Sequence, residues 1–208
     1  MAHIVRPDAR YHRSYLEAAD ELAAAGEANA NHFVPGDGAW VLPADAGFDG
    51  LTFTRESLED PAEFRRFVRA RRADELEETA RPTGWVPCTF LWFIDGDRYL
   101  GSIALRHRLT DSLRADGGHI GYTVRPSARG EGHATEALRQ TLELAGEMGL
   151  DRVLLTTDRD NEASMAVIRR CGGVQVMETN GSADVPAMTV AGKYSFWIDV
   201  PAPEPEEM

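Results

Sequence analysis

GGHIGYTVRPSARGEGHATEAL, residues 117–138, joins an apolar strand pattern to an apolar helix pattern through Arg129, Gly130, Glu131 and Gly132. The strand, 119–124, is stopped by Pro126, which cannot donate to a ladder. Beyond Gly132, the residues Ala134, Ala137, Leu138, Thr141, Leu142, Ala145 and Met148 recur on one helical face, and Gly149 closes the helix. A helix N-terminus presents unpaired N–H groups and the positive end of the macrodipole. Glycines let an anion come close to that backbone, and Arg129 adds a fork for phosphate oxygens. Glu131 opposes such an anion unless its side chain points to water. The stretch is therefore either a surface turn or a phosphate cradle.

Phosphate-binding patterns differ in spacing. A dinucleotide fingerprint needs Gly-x-Gly-x-x-Gly/Ala within a βαβ unit. Here Thr135 stands at the third position, and the preceding strand belongs to an antiparallel meander, so a dehydrogenase is the weakest reading. The Gly-x-x-x-x-Gly-Lys-Ser/Thr loop is absent. Arg129-x-x-Gly132-x-Ala134 fits an Arg/Gln-x-x-Gly-x-Gly/Ala pattern.

Working outward, residues 3–6 read as a first strand. Asp8 caps a helix with Tyr11, Tyr15, Ala18, Ala19 and Leu22 at the 3.6 period, closing near Gly26. Residues 29–50 read as a long loop whose aromatics, Phe33, Trp40 and Phe48, either line a pocket or pin the loop to the body. Asp60-Pro61 with Glu63 reads as cap, first-turn proline and capping-box partner for a helix with Phe64, Phe67 and Val68 inward. Arginines 65, 66, 69, 71 and 72, beside Asp74, Glu75, Glu77 and Glu78, read as a solvated, ion-paired face. Strands 89–94 and 99–105 flank the turn Asp95-Gly96-Asp97. After the central helix come a buried strand at 153–157 and a helix at 161–170. Strands at 174–178 and 193–200 then frame a flexible 180–187 loop. Trp85, Trp92 and Trp197 are expected in the core, with substrate stacking the alternative for Trp197.

The resulting order is β-α-α-β-β-β-α-β-α-β-β. It predicts an α/β chain with a mixed sheet, one domain over 1–200, and a disordered tail at 201–208. The longest apolar run, 90–94, is five residues, against the roughly 20 of a membrane span. No secretory signal pattern opens the chain. Cys88 and Cys171 offer neither a disulfide framework nor metal spacing, which suits a reducing cytoplasm. A net charge of -12 argues against nucleic-acid binding.

With these residues in place, the chain resembles the GNAT superfamily of N-acetyltransferases. The resemblance runs from about residue 87 to 200. It rests on Arg129-x-x-Gly132-x-Ala134, on Val124 five residues before Arg129, and on Asn161-x-x-Ser164 opening the next helix. It also rests on features shared with a bacterial group of predicted acetyltransferases: Arg106-His107, GGHIGY at 117–122, and the closing Tyr194-Ser195-Phe196-Trp197-Ile198. The resemblance implies a GNAT-like fold and acetyl-CoA as co-substrate, with no metal. It implies cofactor contacts from Tyr122, Thr123, Val124, Arg129, Gly130, Glu131, Gly132, His133, Ala134, Thr135, Asn161 and Ser164, with Val124, Asn161 and Ser164 along the pantetheine arm. It further implies a small-molecule or peptide amine as partner, and a homodimer.

In the family, a neutral amine attacks the thioester directly, and backbone N–H groups at the strand end stabilise the oxyanion. Many members place a Glu on the strand before the Asn and a Tyr seven residues after it; this chain has Thr156 and Ile168 there. Tyr122, on the same strand side as Val124, is the replacement to expect, and His119 is the second candidate for proton transfer. Structural roles are the alternatives for Tyr122, His119, His107 and Cys171. The missing Glu and Tyr keep open an acyl-CoA-binding sensor without turnover. Arg106 is the residue to nominate if the donor were succinyl-CoA.

Overall fold

The computed structural model of the chain describes residues 2–27, 39–42, 44–180 and 183–201. The expectations for Phe33 and for residues 202–208 lie outside the described residues. In chain order the elements are β1 (His3–Val5), α1 (His12–Ala24), β2 (Ala39–Leu42), β3 (Leu51–Thr54), α2 (Pro61–Ala73), β4 (Cys88–Asp95), β5 (Arg98–Arg106) and α3 (Asp111–Ala115). There follow β6 (Ile120–Val124), α4 (His133–Glu147), β7 (Arg152–Thr157), α5 (Glu162–Arg170), β8 (Val174–Gln175), β9 (Met177–Asn180), β10 (Ala183–Pro186) and β11 (Tyr194–Asp199).

The meander β4-β5-β6, with β1 on the free side of β4, makes one antiparallel sheet; β7-β11-β8 makes a second. Strand alternation sends Leu91, Phe93, Ile103, Leu105 and Ile120 to one face. There they form a core with Leu138, Leu142, Ala145, Met165, Ile168 and Phe196 from α4, α5 and β11. The opposite face contributes Trp92, Ile94 and Tyr99 to a second core under α1 and α2, with Tyr15, Phe64 and Phe67. Each fully buried Leu, Ile or Phe contributes about 1.5–3 kcal/mol by leaving water.

Caps follow the sequence closely. Asp8 accepts from Arg10 N at 2.9 Å ahead of a short turn and α1, and Asp60 accepts from Ala62 N at 2.8 Å ahead of Pro61. Glu63 turns instead to Arg66 at 2.9 Å, so it is no capping-box partner. Arg71 departs from the expected solvated face. The period that buries Phe64, Phe67 and Val68 also turns position 71 inward. Its guanidinium lies 4.2 Å from the Phe90 ring centroid and 5.3 Å from that of Phe67. Trp92 is buried as expected, whereas Trp85 is 41% exposed. Trp197 is half-buried, with the Arg152 guanidinium 4.3 Å from its ring centroid.

Three further differences concern pairing. The 29–50 segment contributes β2, which pairs with β3, and Phe48 is buried in the second core, so this aromatic pins its segment to the body. The 180–187 region contributes β10, paired with β9, where the sequence suggests a flexible loop. Most consequential, no ladder joins β6 to β7, and every ladder among the described residues is antiparallel. The two sheets are hydrogen-bonded where residues 117–119 meet β7. His119 N donates to Leu154 O at 2.7 Å, and Leu154 N donates to the His119 ring at Nδ1, 2.9 Å. Gly118 makes this approach possible: its φ is +60, and a Cβ there would stand 2.3 Å from Leu154 O. A side-chain nitrogen takes the place of a ladder rung, and beyond it the strands part.

Candidate active site

The gap between the parted strands belongs to a cleft of about 1170 Å³. One end is lined by Val124, Arg129, Gly130, Gly132, His133, Ala134, Thr135, Asn161 and Ser164, and the other by Trp85, Val86, Cys88, Phe90, Arg106 and Leu113. Tyr122 and Thr123 also line it; Glu131 and His119 do not. β6 is the edge of its sheet, so its unpaired backbone groups face the gap.

At the first end, Gly130 and Gly132 have φ of 80 and 85, and Gly132 is the N-cap of α4 with no side-chain cap. Nothing lies within 4 Å of a Cβ built at either. Among the described residues, none of the backbone N–H groups from Gly130 to Thr135 meets a protein acceptor. Such a concave run of donors at a helix start attracts anions. Glu131 points outward, its side chain 60% exposed and 3.1 Å from His133 Nε2, so the expected obstacle to an anion is removed. Arg129 differs from expectation: its Nε donates to Val124 O at 3.1 Å, and its two terminal nitrogens fork onto Glu27 at 2.7 and 2.6 Å.

Deeper in, Asn161 Oδ1 accepts from Ser164 N at 2.9 Å and so caps α5. Ser164 Oγ lies 2.9 Å from the Tyr122 hydroxyl. Burial pushes the Tyr122 phenol up to about 12, so it is protonated at neutral pH and can donate a proton but not remove one. His119 is 6% exposed, and burial, aided by Arg114 and Arg106, lowers its pKa to about 4. It is therefore neutral, with the proton on Nε2 because Nδ1 accepts from Leu154. Thr156 Oγ1 accepts from Gly117 N at 2.8 Å, and Ile168 is 1% exposed, so the family's two usual acid–base positions are structural here. His107 shares a 2.9 Å hydrogen bond with Thr89, and the Cys171 thiol, raised by burial, lies 3.6 Å from Thr135 O.

The sequence did not point to Glu27, Asp74, Trp85 or Lys193, which also line the cleft. Lys193 sits 3.2 Å from both Asp116 and Asp158. None of these belongs to a motif; tertiary folding alone brings them together. Among the described residues, no group of three or more His, Cys, Asp or Glu side chains could hold a metal, and no helix is long and apolar enough to cross a membrane.

Two divergent sheets, a donor-lined helix start at one end of the gap and an edge strand along it define an acyltransferase-type architecture. Residues 45–174 match the acetyltransferase (GNAT) domain family, and the chain belongs to that family. Similar solved structures include Mycobacterium smegmatis RimJ in complex with CoA-disulfide, at 15% identity over 95% of this chain and 81% of that one, TM-score 0.59. Another is the microcin C7 self-immunity acetyltransferase MccE in complex with acetyl-CoA and AMP, at 14% identity over 96% and 92%, TM-score 0.56. A third is RimL, a ribosomal L7/L12 alpha-N-protein acetyltransferase, in complex with coenzyme A, at 13% over 96% and 94%, TM-score 0.55. At these identities the likeness carries the fold. No curated protein matches the chain by sequence.

Proposed function

We propose that the chain is an acetyl-CoA-dependent N-acetyltransferase acting on a primary amine of a small molecule or peptide. The observation that carries this reading is the run of unpaired N–H groups from Gly130 to Thr135 at the mouth of the gap between β6 and β7. These groups, including the Glu131 and His133 backbone, receive the pyrophosphate, while Val124, Asn161 and Ser164 flank the pantetheine arm. The acetyl carbonyl lies against the β6 edge at Tyr122–Val124, where backbone N–H groups oppose the charge that develops on oxygen. The amine enters neutral, its lone pair forms the C–N bond, and the C–S bond breaks. The amine's surplus proton leaves to water in the open cleft. Tyr122 donates its phenolic proton to the departing thiolate, and Ser164 Oγ holds that hydroxyl in place. We leave His119 out of the proton chemistry because its Nδ1 is committed to Leu154 and the ring lies outside the cleft lining.

Isothermal titration of the full chain with acetyl-CoA tests the reading, and binding is expected. Arg129→Glu, which adds a second carboxylate next to Glu27 at the anion site, weakens binding by roughly tenfold or more. Absence of binding by the wild type overturns the proposal. A thiol-release screen across amines, amino acids and peptides separates turnover from acyl-CoA sensing.

A further inference from the structure

The acceptor end of the cleft is floored by a small part of the meander face opposite the main core. Cys88 pairs with Arg106 and Phe90 with Ala104 across β4 and β5, and Ala104 pairs with Gly121 across β5 and β6. Cys88, Phe90 and Ala104 form their own small apolar cluster, and Arg106 is the next side chain in that row. Arg106 is 7% exposed. Its Nη1 donates to the carbonyl oxygens of Gly117 and Gly118 at 3.0 and 3.2 Å, and among the described residues no carboxylate pairs with it. By contrast, Arg125, 4% exposed, is held by Glu21. Burial lowers the Arg106 pKa, and Asp116 acts on it only through space, its own carboxylate lying 3.2 Å from Lys193. A buried cation held on one side by neutral carbonyls lacks the counter-charge that normally compensates its desolvation.

The glycines of the GGHIGY block explain how the other side stays open. A Cβ at Gly117 would stand 3.6 Å from Cζ and Nη1 of Arg106, and one at Gly121 would stand 3.7 and 3.9 Å from Nη1 and Nη2. Gly121 has no positive φ, so the backbone does not require glycine there. What its missing side chain does is leave the guanidinium facing the cleft, which Arg106, Gly117 and Gly121 all line.

We propose that Arg106 recognises a carboxylate carried by the substrate, held over Gly121 on the floor of the cleft. The inference rests on the acyltransfer reading above. Gly121 lies two residues before Thr123 on the strand, so this carboxylate sits about 7 Å from the position of the acetyl carbonyl. Arg106 leaves one positive charge to be matched, and Asp74 and Asp116, which also line the cleft, oppose the second negative charge of a phosphate, so a carboxylate is favoured. Trp85, Val86, Phe90 and Leu113 make the neighbouring wall apolar. The carboxylate belongs either to an amino-acid-like acceptor or to the acyl group of a dicarboxylic CoA thioester.

Calorimetry on the full chain distinguishes these sources. In one arm, CoA-saturated protein is titrated with N-acetylphenylalanine and with N-acetylphenylalaninamide, which differ in the charge. In the other, succinyl-CoA is compared with acetyl-CoA. One arm is expected to favour its carboxylate member by about tenfold or more, the worth of a charge-assisted pair, and that arm names the source. The preference disappears in Arg106→Met. It also disappears in Gly121→Val, which covers the guanidinium while leaving its bonds to Gly117 and Gly118 intact, so the test survives even if Arg106→Met fails to fold. Acetyl-CoA binds both variants as it binds the wild type. Acetyl-CoA binding without preference in either arm, or a preference that survives Gly121→Val, overturns the role of Arg106 and leaves the acyltransfer reading standing. Loss of acetyl-CoA binding by the wild type overturns both.

Discussion

Tyr122→Phe isolates one hydroxyl. The ring stays packed against the main core, and what is lost is the 2.9 Å hydrogen bond to Ser164 Oγ. A neutral hydrogen bond of this kind is worth about 1 kcal/mol, so urea unfolding should register a destabilisation of that size and no more. Turnover should fall much further, because general-acid catalysis supplies about 10²–10⁴-fold, or roughly 2.7–5.4 kcal/mol of barrier. Acetyl-CoA affinity should be unchanged, since the hydroxyl is turned to α5, away from the start of α4 where we propose the pyrophosphate binds. The pH profile adds a second signature. An acid works only while protonated, and burial holds this phenol near 12. The wild-type rate with a fixed fraction of neutral amine should therefore stay level past pH 10, where an ordinary tyrosine would begin to fail. The assay is thiol release with the best amine of the screen, paired with calorimetric binding of acetyl-CoA. An unchanged kcat removes Tyr122 from the chemistry. A loss of kcat matched by an equal loss of acetyl-CoA affinity shows a binding role instead.

Two further expectations test the apex where the sheets meet. Gly118→Ala puts a Cβ against Leu154 O at a residue with φ of +60. It should cost about 2–4 kcal/mol, combining left-handed strain with loss of the paired His119–Leu154 bonds; chemical denaturation checks this, and a shift under 0.5 kcal/mol refutes the tight approach. His119 predicts acid sensitivity. Its folded pKa of about 4 lies below the unfolded value, so protonation favours the unfolded chain, and stability drains away as pH falls from about 6.5 to 4, by up to about 3 kcal/mol. Denaturation midpoints across that window should fall more steeply for the wild type than for His119→Gln, and parallel slopes would refute the assignment.

Much of this could be read from residues that act locally. Asp8 and Asp60 cap helices because their carboxylates reach N–H groups two residues on, and Gly149 takes the left-handed turn that ends α4. The apolar runs 89–94 and 99–105 on either side of Asp95-Gly96-Asp97 marked the hairpin β4–β5, because a tight turn sets which residues pair. What sequence could not supply was information held by remote partners. The parting of β6 from β7 depends on His119 meeting Leu154, 35 positions away. The hairpin β9–β10 and the pair β2–β3 had turn and strand signals too short to outweigh the polar composition around them. Of the candidate site residues, the helix start at Gly132 was legible from spacing. The proposed acceptor floor was legible only in part: Arg106 and Gly121 belong to stretches the sequence singles out, but their meeting with Cys88, Phe90 and Ala104 is set by pairing across three strands.

Four arginines differ in the partners that compensate their charge, and those partners are remote in sequence for all but Arg71. Arg71 is placed over the faces of Phe67 and Phe90, where ring quadrupoles offset part of its lost hydration. Arg125 is fixed by Glu21, whose carboxyl it holds near 2, and its pair locks α1 to the segment after β6. Arg129 and Glu27 are also forked, but their side chains are 43% and 39% exposed, and an exposed pair is worth about 1 kcal/mol at most. The proposed pyrophosphate would therefore displace Glu27 at small cost. Arg106 alone of the four has neither ring nor carboxylate, only two glycine carbonyls and an open face. Of the four, Arg129 and Arg106 line the cleft, the first exposed and ion-paired, the second buried with no carboxylate partner among the described residues. On the reading proposed above, Glu27 yields Arg129 to the coenzyme, whereas the counter-charge of Arg106 comes from a carboxylate that only the substrate supplies.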